Sequence, residues 1–405
     1  MSNKFLSERE IFFRHLALTS LTPPAIQFSK AQGIYLFTAD NRVYTDLSSG
    51  FSVCNIGHNH PVVVQAIHHQ ADLYLHQTVY GEFVQSPQVR LAEALVKILP
   101  PSLDCVYLVN SGAEAIEGAM KLAKRYTSRP RIVTFRNAYH GSTQGALSIT
   151  GNEILKDRYR PLIPGIIQLQ FNQIEDLNRI DETVAAVIIE PVQGEAGVVL
   201  PKPEFLLRLR QRCDETHTLL VFDEIQTGLG RTGSMFAFEK YKTIPDVLCL
   251  AKALGGGMPI GAFISSKNIM DTLAYDPSLG HITTFGGNPV SAAAACAVLQ
   301  VLQNEINVSE ADEKARRLIN GIDNYKVVKE IRFSGLLIAV EFHHFTQADR
   351  ALQLFWEKCL ISDRFLFCEN ALRISPPLCI SFEECNEANK TLQLIFEQLD
   401  KEFYE

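Results

Sequence analysis

The chain has 405 residues, 46% of them hydrophobic, and a formal net charge of −7. One hydrophobic core of ordinary size serves about 250–300 residues, so at least two domains are expected. The acidic balance excludes a global attraction to nucleic acid, and no run of Lys and Arg marks a basic patch.

The opening stretch, "MSNKFLSEREIFFRHLAL", is charged and does not read as a signal peptide. No apolar run reaches the about 20 residues that span a bilayer. Next, "GIYLFTADNRVYTDLSSG" predicts a strand hairpin turning at "TADNR". "HPVVVQAIHHQADLYL" and "SPQVRLAEALVKIL" carry helical periodicity, and Ser86-Pro87 suits a helix start. Then "CVYLVN", "RIVTF", "AAVIIEPV", "TLLVFDEI", "VLCLA" and "GAFISS" read as strands. Their unbroken apolar character suits a sheet covered on both faces. Helical segments between them imply parallel βαβ connections. After Asn288-Pro289, "VSAAAACAVLQVLQ" predicts a helix of small residues packed closely on another surface. The C-terminal part mixes helices with short strands such as "LLIAVEF" and "LRISPPLCIS", and a second, smaller domain is expected there. Nine cysteines lie scattered without CxxC pairs, which indicates neither a zinc site nor a disulfide framework. Reduced thiols in the cytoplasm are the simplest reading.

Polar residues recur where strands end. Ser111, Gly112 and Ala113 open a helix directly after a strand. Unpaired N–H groups there, with a glycine that admits close approach, suit a phosphate. An ordinary Ser-capped helix gives the same pattern. It is neither a Walker loop nor a dinucleotide fingerprint. Asp223 stands just beyond another strand. It could pair with a ring nitrogen, hold a metal or cap the next helix. Glu224 invites the metal reading, but no histidine cluster completes a site. Glu190 ends a third strand, with Gln193 and Glu195 on the glycine-containing loop after it. Lys252 follows a fourth, with only Ala251 between. A lysine in an apolar setting has a lowered pKa and attacks carbonyls, although a lysine snorkelling to water looks the same in sequence. A phosphate cup, an acid for a pyridine nitrogen and a nucleophilic lysine together are what pyridoxal phosphate needs.

The successive motifs "NSGAEA", "YHGST", "EPVQGEAGV", "FDEIQTGLGRTG", "AKALGGGMPIGA", "TTFGGNP" and "LRISPPL" give the chain a family resemblance. From about Gly33 to the C-terminal helix it resembles the class III pyridoxal-phosphate aminotransferases, which include acetylornithine, ornithine and 4-aminobutyrate aminotransferases. The resemblance implies an α/β, type I transferase fold. It implies a large domain over 61–294 with a mostly parallel seven-stranded sheet, and a smaller α+β domain built from 1–60 and 295–405. It also implies a homodimer with its sites at the interface. On the same basis Lys252 holds the cofactor through its amine, Asp223 pairs with the pyridine nitrogen and Gln226 lies near the ring hydroxyl. Ser111, Gly112 and Ala113 cup the phosphate, and Thr284 reaches the phosphate of the neighbouring subunit's cofactor. Tyr139 stacks on the ring, and Glu190 supports the network around Asp223. Arg373 binds a substrate carboxylate, and Glu195 pairs with it when no carboxylate is offered.

One position departs from the family pattern. Ser142 stands where these relatives usually carry an arginine that grips a second carboxylate. Phe51, near the expected entrance, is not a gripping group either, and Arg158 or Arg160 could substitute from a nearby loop. The reaction implied is ping-pong transamination. An amino group moves from the terminal amine of an ornithine-, acetylornithine- or other ω-amino-acid-like donor to a 2-oxo acid such as 2-oxoglutarate or pyruvate. Lys252 and Asp223 act as the catalytic pair. A same-fold decarboxylase or aminomutase, or a non-catalytic pyridoxal-phosphate-binding protein, are the alternatives. The "QGEAG" loop argues against the aminomutase.

Overall fold

The computed structural model describes residues 6–79 and 81–404, so the first five residues of the charged opening stretch lie outside the described residues. The N-terminal part contributes β1 (Phe28–Gln32), β2 (Tyr35–Thr38) and β3 (Val43–Asp46). The middle contributes β4 (Cys105–Val109), β5 (Arg131–Phe135), β6 (Ile166–Leu169), β7 (Val184–Ile189), β8 (Leu219–Asp223), β9 (Val247–Leu250) and β10 (Gly261–Ser265). The C-terminal part adds β11 (Val328–Ser334), β12 (Leu337–Phe342), β13 (Leu360–Ile361), β14 (Asp363–Arg364) and β15 (Ala371–Ile374).

The middle strands form one seven-stranded sheet in the order β4-β10-β9-β8-β7-β5-β6. Strands β9, β8, β7, β5 and β6 run parallel. Strand β10 is antiparallel to both β9 and β4, so β4 runs with the majority. The C-terminal ends of β4, β7, β8 and β9 therefore lie at one edge, where open parallel sheets bind ligands. Every residue of β7, β8, β9 and β10 is buried, as a sheet covered on both faces requires.

Helix Gly112–Thr127 lies across β7 to β10 and covers one face. Helix Pro289–Asn304 packs on helices Pro61–Leu73 and Ser86–Lys97. Its Ala292, Ala294 and Ala295 are fully buried, and such small side chains let helix axes approach closely. This helix runs unbroken through residue 294.

Both chain ends meet beside the large sheet. The β2–β3 hairpin turns at Thr38–Arg42, where Asn41 takes a positive φ of 63°. Strands β1, β2 and β3 form a four-stranded sheet with β13, through parallel pairing of Leu360 with Thr45 and Ile361 with Asp46. A second four-stranded sheet runs β11-β12-β15-β14. Among the described residues no helix is long and apolar enough to cross a membrane.

Candidate active site

A cleft of about 470 Å³ opens at the sheet edge, lined among others by Ser111, Tyr139, Ser142, Asp223, Gln226 and Lys252. Its size falls in the range of small-molecule sites. Four strand ends thus deliver their polar residues to one place.

The first wall is the start of helix Gly112–Thr127. Ser111 Oγ accepts from Glu114 N at 3.2 Å, and Ser111 O from Ala115 N at 3.1 Å. The N–H groups of Gly112 and Ala113 find no partner among the described residues, and both residues line the cleft. A Cβ at Gly112 would lie 2.8 Å from Ile225 Cδ1, so a larger residue there would push the Ile225 side chain aside. An open helix N-terminus with a positive dipole end is an anion site.

The second wall is the end of β8. Asp223 Oδ2 lies 2.7 Å from His140 Nδ1, and its Oδ1 accepts from Ile225 N at 3.1 Å. His140 is buried, and its place inside "YHGST" does not by itself reveal this contact. Glu190 does not touch Asp223. Its Oε2 accepts from Tyr139 N and its Oε1 from Gly194 N, each at 3.0 Å, so it fixes the backbone that carries Tyr139. Burial pushes the Glu190 carboxyl up to about 7. Gln226 Nε2 is buried with no hydrogen-bond partner among the described residues. Glu224 turns away from the cleft and accepts from Ala237 N at 2.6 Å and Phe238 N at 2.8 Å. It thereby satisfies the first N–H groups of the short helix Ala237–Tyr241.

Lys252 forms the floor. It opens a 3₁₀ turn directly after β9 and takes a positive φ of 43°. A side-chain-bearing residue in this region costs about 1–2 kcal/mol, and such strain concentrates at functional sites. The side chain is half-buried in the cleft rather than extended into bulk water. Burial holds its amine below the ordinary lysine range, against the pull of Glu195, Asp223 and Glu190.

A separate cluster stands beside this floor. Arg373 of β15 is 1% exposed, and its Nη2 donates to both Glu195 oxygens at 2.7 and 2.8 Å. It is a buried arginine, with the Phe365 ring 4.6 Å and the Phe51 ring 5.9 Å from its guanidinium carbon. Phe51 is 57% exposed. It belongs to a left-handed turn in which Ser49, Gly50, Phe51 and Ser52 all take positive φ, from 45° to 62°. Two groups hold that turn. Asp46 Oδ1 accepts from Ser48 N, Ser48 Oγ and Ser49 N at 2.8–2.9 Å. The fully buried Arg231 donates to Ser49 Oγ at 3.0 Å, to Asn55 Oδ1, and to the carbonyls of Leu336 and Pro376 at 2.9 and 2.6 Å. Burial pushes the Arg231 guanidinium down to about 9.

The remaining candidates lie elsewhere. Ser142 Oγ is 3.0 Å from Tyr139 Oη at the cleft mouth. Arg158 and Arg160 do not line the cleft, which corrects the expectation that one of them replaces the missing arginine. The Arg158 side chain is 92% exposed, and Arg160 pairs with Glu153. Their segment is tied back by Gln144 Nε2, which donates to Tyr159 O at 3.1 Å and Pro161 O at 3.0 Å. Thr284 is exposed and outside this cleft, while its neighbour Thr283 accepts from Asn110 Nδ2 at 2.9 Å.

A half-buried lysine, a strand-end carboxylate and an open helix N-terminus at one parallel-sheet edge define a pyridoxal-phosphate transferase of the α/β type. Residues 19–396 match the model of the class-III aminotransferases, and the chain belongs to that family of pyridoxal-phosphate-dependent transaminases. It is 38% identical over 377 residues to an acetylornithine aminotransferase of Clostridium acetobutylicum, covering 90% of this chain and 94% of the relative. It superposes on the ornithine aminotransferase of Toxoplasma gondii ME49 with a TM-score of 0.90, at 30% identity, covering 98% of this chain and 97% of the other. It superposes on an amine transaminase of an uncultivated Pseudomonas species, in its PLP-bound form, with a TM-score of 0.86, at 26% identity and covering 98% and 99%. The residues present fit the cofactor. The open N–H groups at Gly112 and Ala113 suit its phosphate, the orphaned Gln226 Nε2 suits a ring oxygen, and Asp223 suits a protonated ring nitrogen.

Proposed function

We propose that the chain transfers the terminal amino group of an ornithine-, acetylornithine- or similar ω-amino-acid donor to a 2-oxo acid such as 2-oxoglutarate or pyruvate. The observation that carries this reading is the Arg373–Glu195 pair beside Lys252. With Glu195 on Arg373, the guanidinium is covered and the pocket accepts an amine-bearing chain. When a 2-oxo acid enters, its carboxylate takes the place of Glu195 and gains a planar fork of donors. One pocket then serves both half-reactions.

Pyridoxal phosphate, when bound, supplies a carbonyl that takes up the amino group and a ring that draws electrons from the substrate carbon. Lys252 would hold it through its amine, and the same amine is placed to carry a proton between the substrate carbon and the cofactor carbon that takes up the amino group. Burial lowers the pKa of that amine, which favours its work as a base. Asp223, oriented by His140 and Ile225 N, would pair with the protonated ring nitrogen. Ser111, Gly112 and Ala113 bind the phosphate, Gln226 meets the ring oxygen, and Tyr139 covers the ring on a backbone fixed by Glu190.

The reading includes a homodimer in which Thr284 reaches the partner's phosphate. Exposed apolar residues, among them Leu75, Phe83, Val84 and Phe285, support a covered face. It takes 61–294 as the cofactor lobe and the two chain ends as the smaller lobe, supported by the β3–β13 pairing. The cysteines, all free thiols, suit a reducing compartment such as the cytoplasm.

The test is spectroscopic. Addition of acetylornithine or ornithine abolishes the lysine-dependent absorption band of the loaded enzyme, and 2-oxoglutarate or pyruvate restores it. A band untouched by every ω-amino donor overturns the reading, and carbon dioxide release points to a decarboxylase instead.

A further inference from the structure

Arg373 has a second carboxylate on it, and the two differ in where they stand. Glu195 belongs to the loop after β7 and lines the cleft, whereas Arg373 does not, so Glu195 stands between the arginine and the cleft. Asp363 sits on β14, paired directly opposite Arg373 in the antiparallel β14–β15 register. Side chains opposed in this way share a face and lie within reach of each other. Asp363 Oδ1 is 3.0 Å from Arg373 Nε. The contact is close but out of line, because among the described residues Nε and both Asp363 oxygens complete no hydrogen bond. Arg373 Nη1 also has no hydrogen-bond partner among the described residues. Ser362 Oγ donates to Arg373 O at 2.6 Å and ties the two strands together at this point.

We propose that Asp363 is the fixed positioning residue of Arg373, and that Glu195 is the displaceable one. It rests on the reading of Arg373 as the binder of the substrate carboxylate. A buried guanidinium cannot be left without a counter-ion at low cost. When Glu195 leaves, Asp363 remains, because its backbone is bonded to the strand that carries Arg373. A small rotation of the guanidinium then lines Nε up with Asp363. That bond leaves Nη1 and Nη2 together as the free edge, the pair that a carboxylate takes in fork geometry. Phe365 beneath the guanidinium restricts it to this plane. Asp363 does not line the cleft, so an entering carboxylate does not compete for it.

The experiment compares Asp363→Ala, Asp363→Asn and Arg373→Ala in the loaded enzyme. Both half-reactions are followed separately, together with competitive inhibition by propionate, a carboxylate that cannot accept an amino group. Asp363→Ala is expected to raise KM for the 2-oxo acid and Ki for propionate about tenfold, the loss of one charge-assisted hydrogen bond. The donor half-reaction stays within about threefold, because Glu195 covers Arg373 during it. Asp363→Asn, which keeps an acceptor for Nε, restores most of the oxo-acid affinity. Equal loss in both half-reactions means a merely structural ion pair and overturns the proposal. So does a KM that falls in both variants, which means that Asp363 acts only by its negative charge. If Arg373→Ala leaves oxo-acid KM and propionate inhibition unchanged, the reading of Arg373 itself has failed, whatever the Asp363 variants do.

Discussion

The cofactor end and the carboxylate end of this cleft are built on different plans. The cofactor end takes one short feature from each of several strand ends: the helix start after β4, Asp223 at the end of β8, and Lys252 two residues past β9. A buried sheet fixes the position of each, and little but backbone geometry is needed to bring them together. The carboxylate end draws on residues far apart in sequence: Phe51, Glu195, Asp363 and Arg373, with Arg231 and Asp46 behind them. Nothing local fixes these. They are held by buried polar bonds and by a left-handed turn that each non-glycine residue pays for in strain. The difference teaches that the chemistry rests on the rigid sheet, while substrate choice rests on a network that can rearrange.

The largest effect is expected at the cofactor end. Lys252→Ala removes the group that moves the proton, and kcat falls by about 10²–10⁴-fold. Far-ultraviolet dichroism stays unchanged. Arg231→Leu strikes the other plan. It leaves Ser49, Asn55 and the Leu336 and Pro376 carbonyls without their donor and costs about 2–3 kcal/mol of stability, seen as a lower denaturation midpoint in urea. It also raises the oxo-acid KM while leaving cofactor binding intact. A variant that loses both ends together would break the comparison. Arg373→Lys keeps the charge and loses the fork. The oxo-acid KM rises about tenfold in steady-state assays, with the donor half-reaction little changed. The smallest effect belongs to Ser142→Arg. It shifts preference toward dicarboxylate acceptors over pyruvate by about three- to tenfold, measured as a ratio of kcat/KM values.

The same contrast explains what the sequence disclosed. Strand ends followed by Ser-Gly-Ala, Asp or Lys are local patterns, so Ser111, Asp223 and Lys252 were legible and the structure brings them together. Strand β6 was not, because "IIQL" is a short edge strand with partly buried residues and no alternation. Glu224 was ambiguous, since a carboxylate beside Asp223 looks like a ligand until a helix N-terminus is found to take it. His140 lies inside "YHGST", but nothing local turns it toward β8, since its partner lies 83 residues on. Asp363 carried no signal at all. Its meaning depends on an antiparallel pairing with Arg373 that periodicity does not reveal. Arg231 lies in a glycine-rich loop, and only the packing of three separated segments around it makes it a buried hub.

The central claim is that the cofactor is anchored on Lys252 at this sheet edge. The most direct test is borohydride reduction of the protein loaded with pyridoxal phosphate, followed by peptide mapping by mass spectrometry. The account predicts one modified lysine, Lys252, and none in Lys252→Ala. Modification at a different lysine, or no lysine-bound cofactor in the unmutated chain, contradicts it.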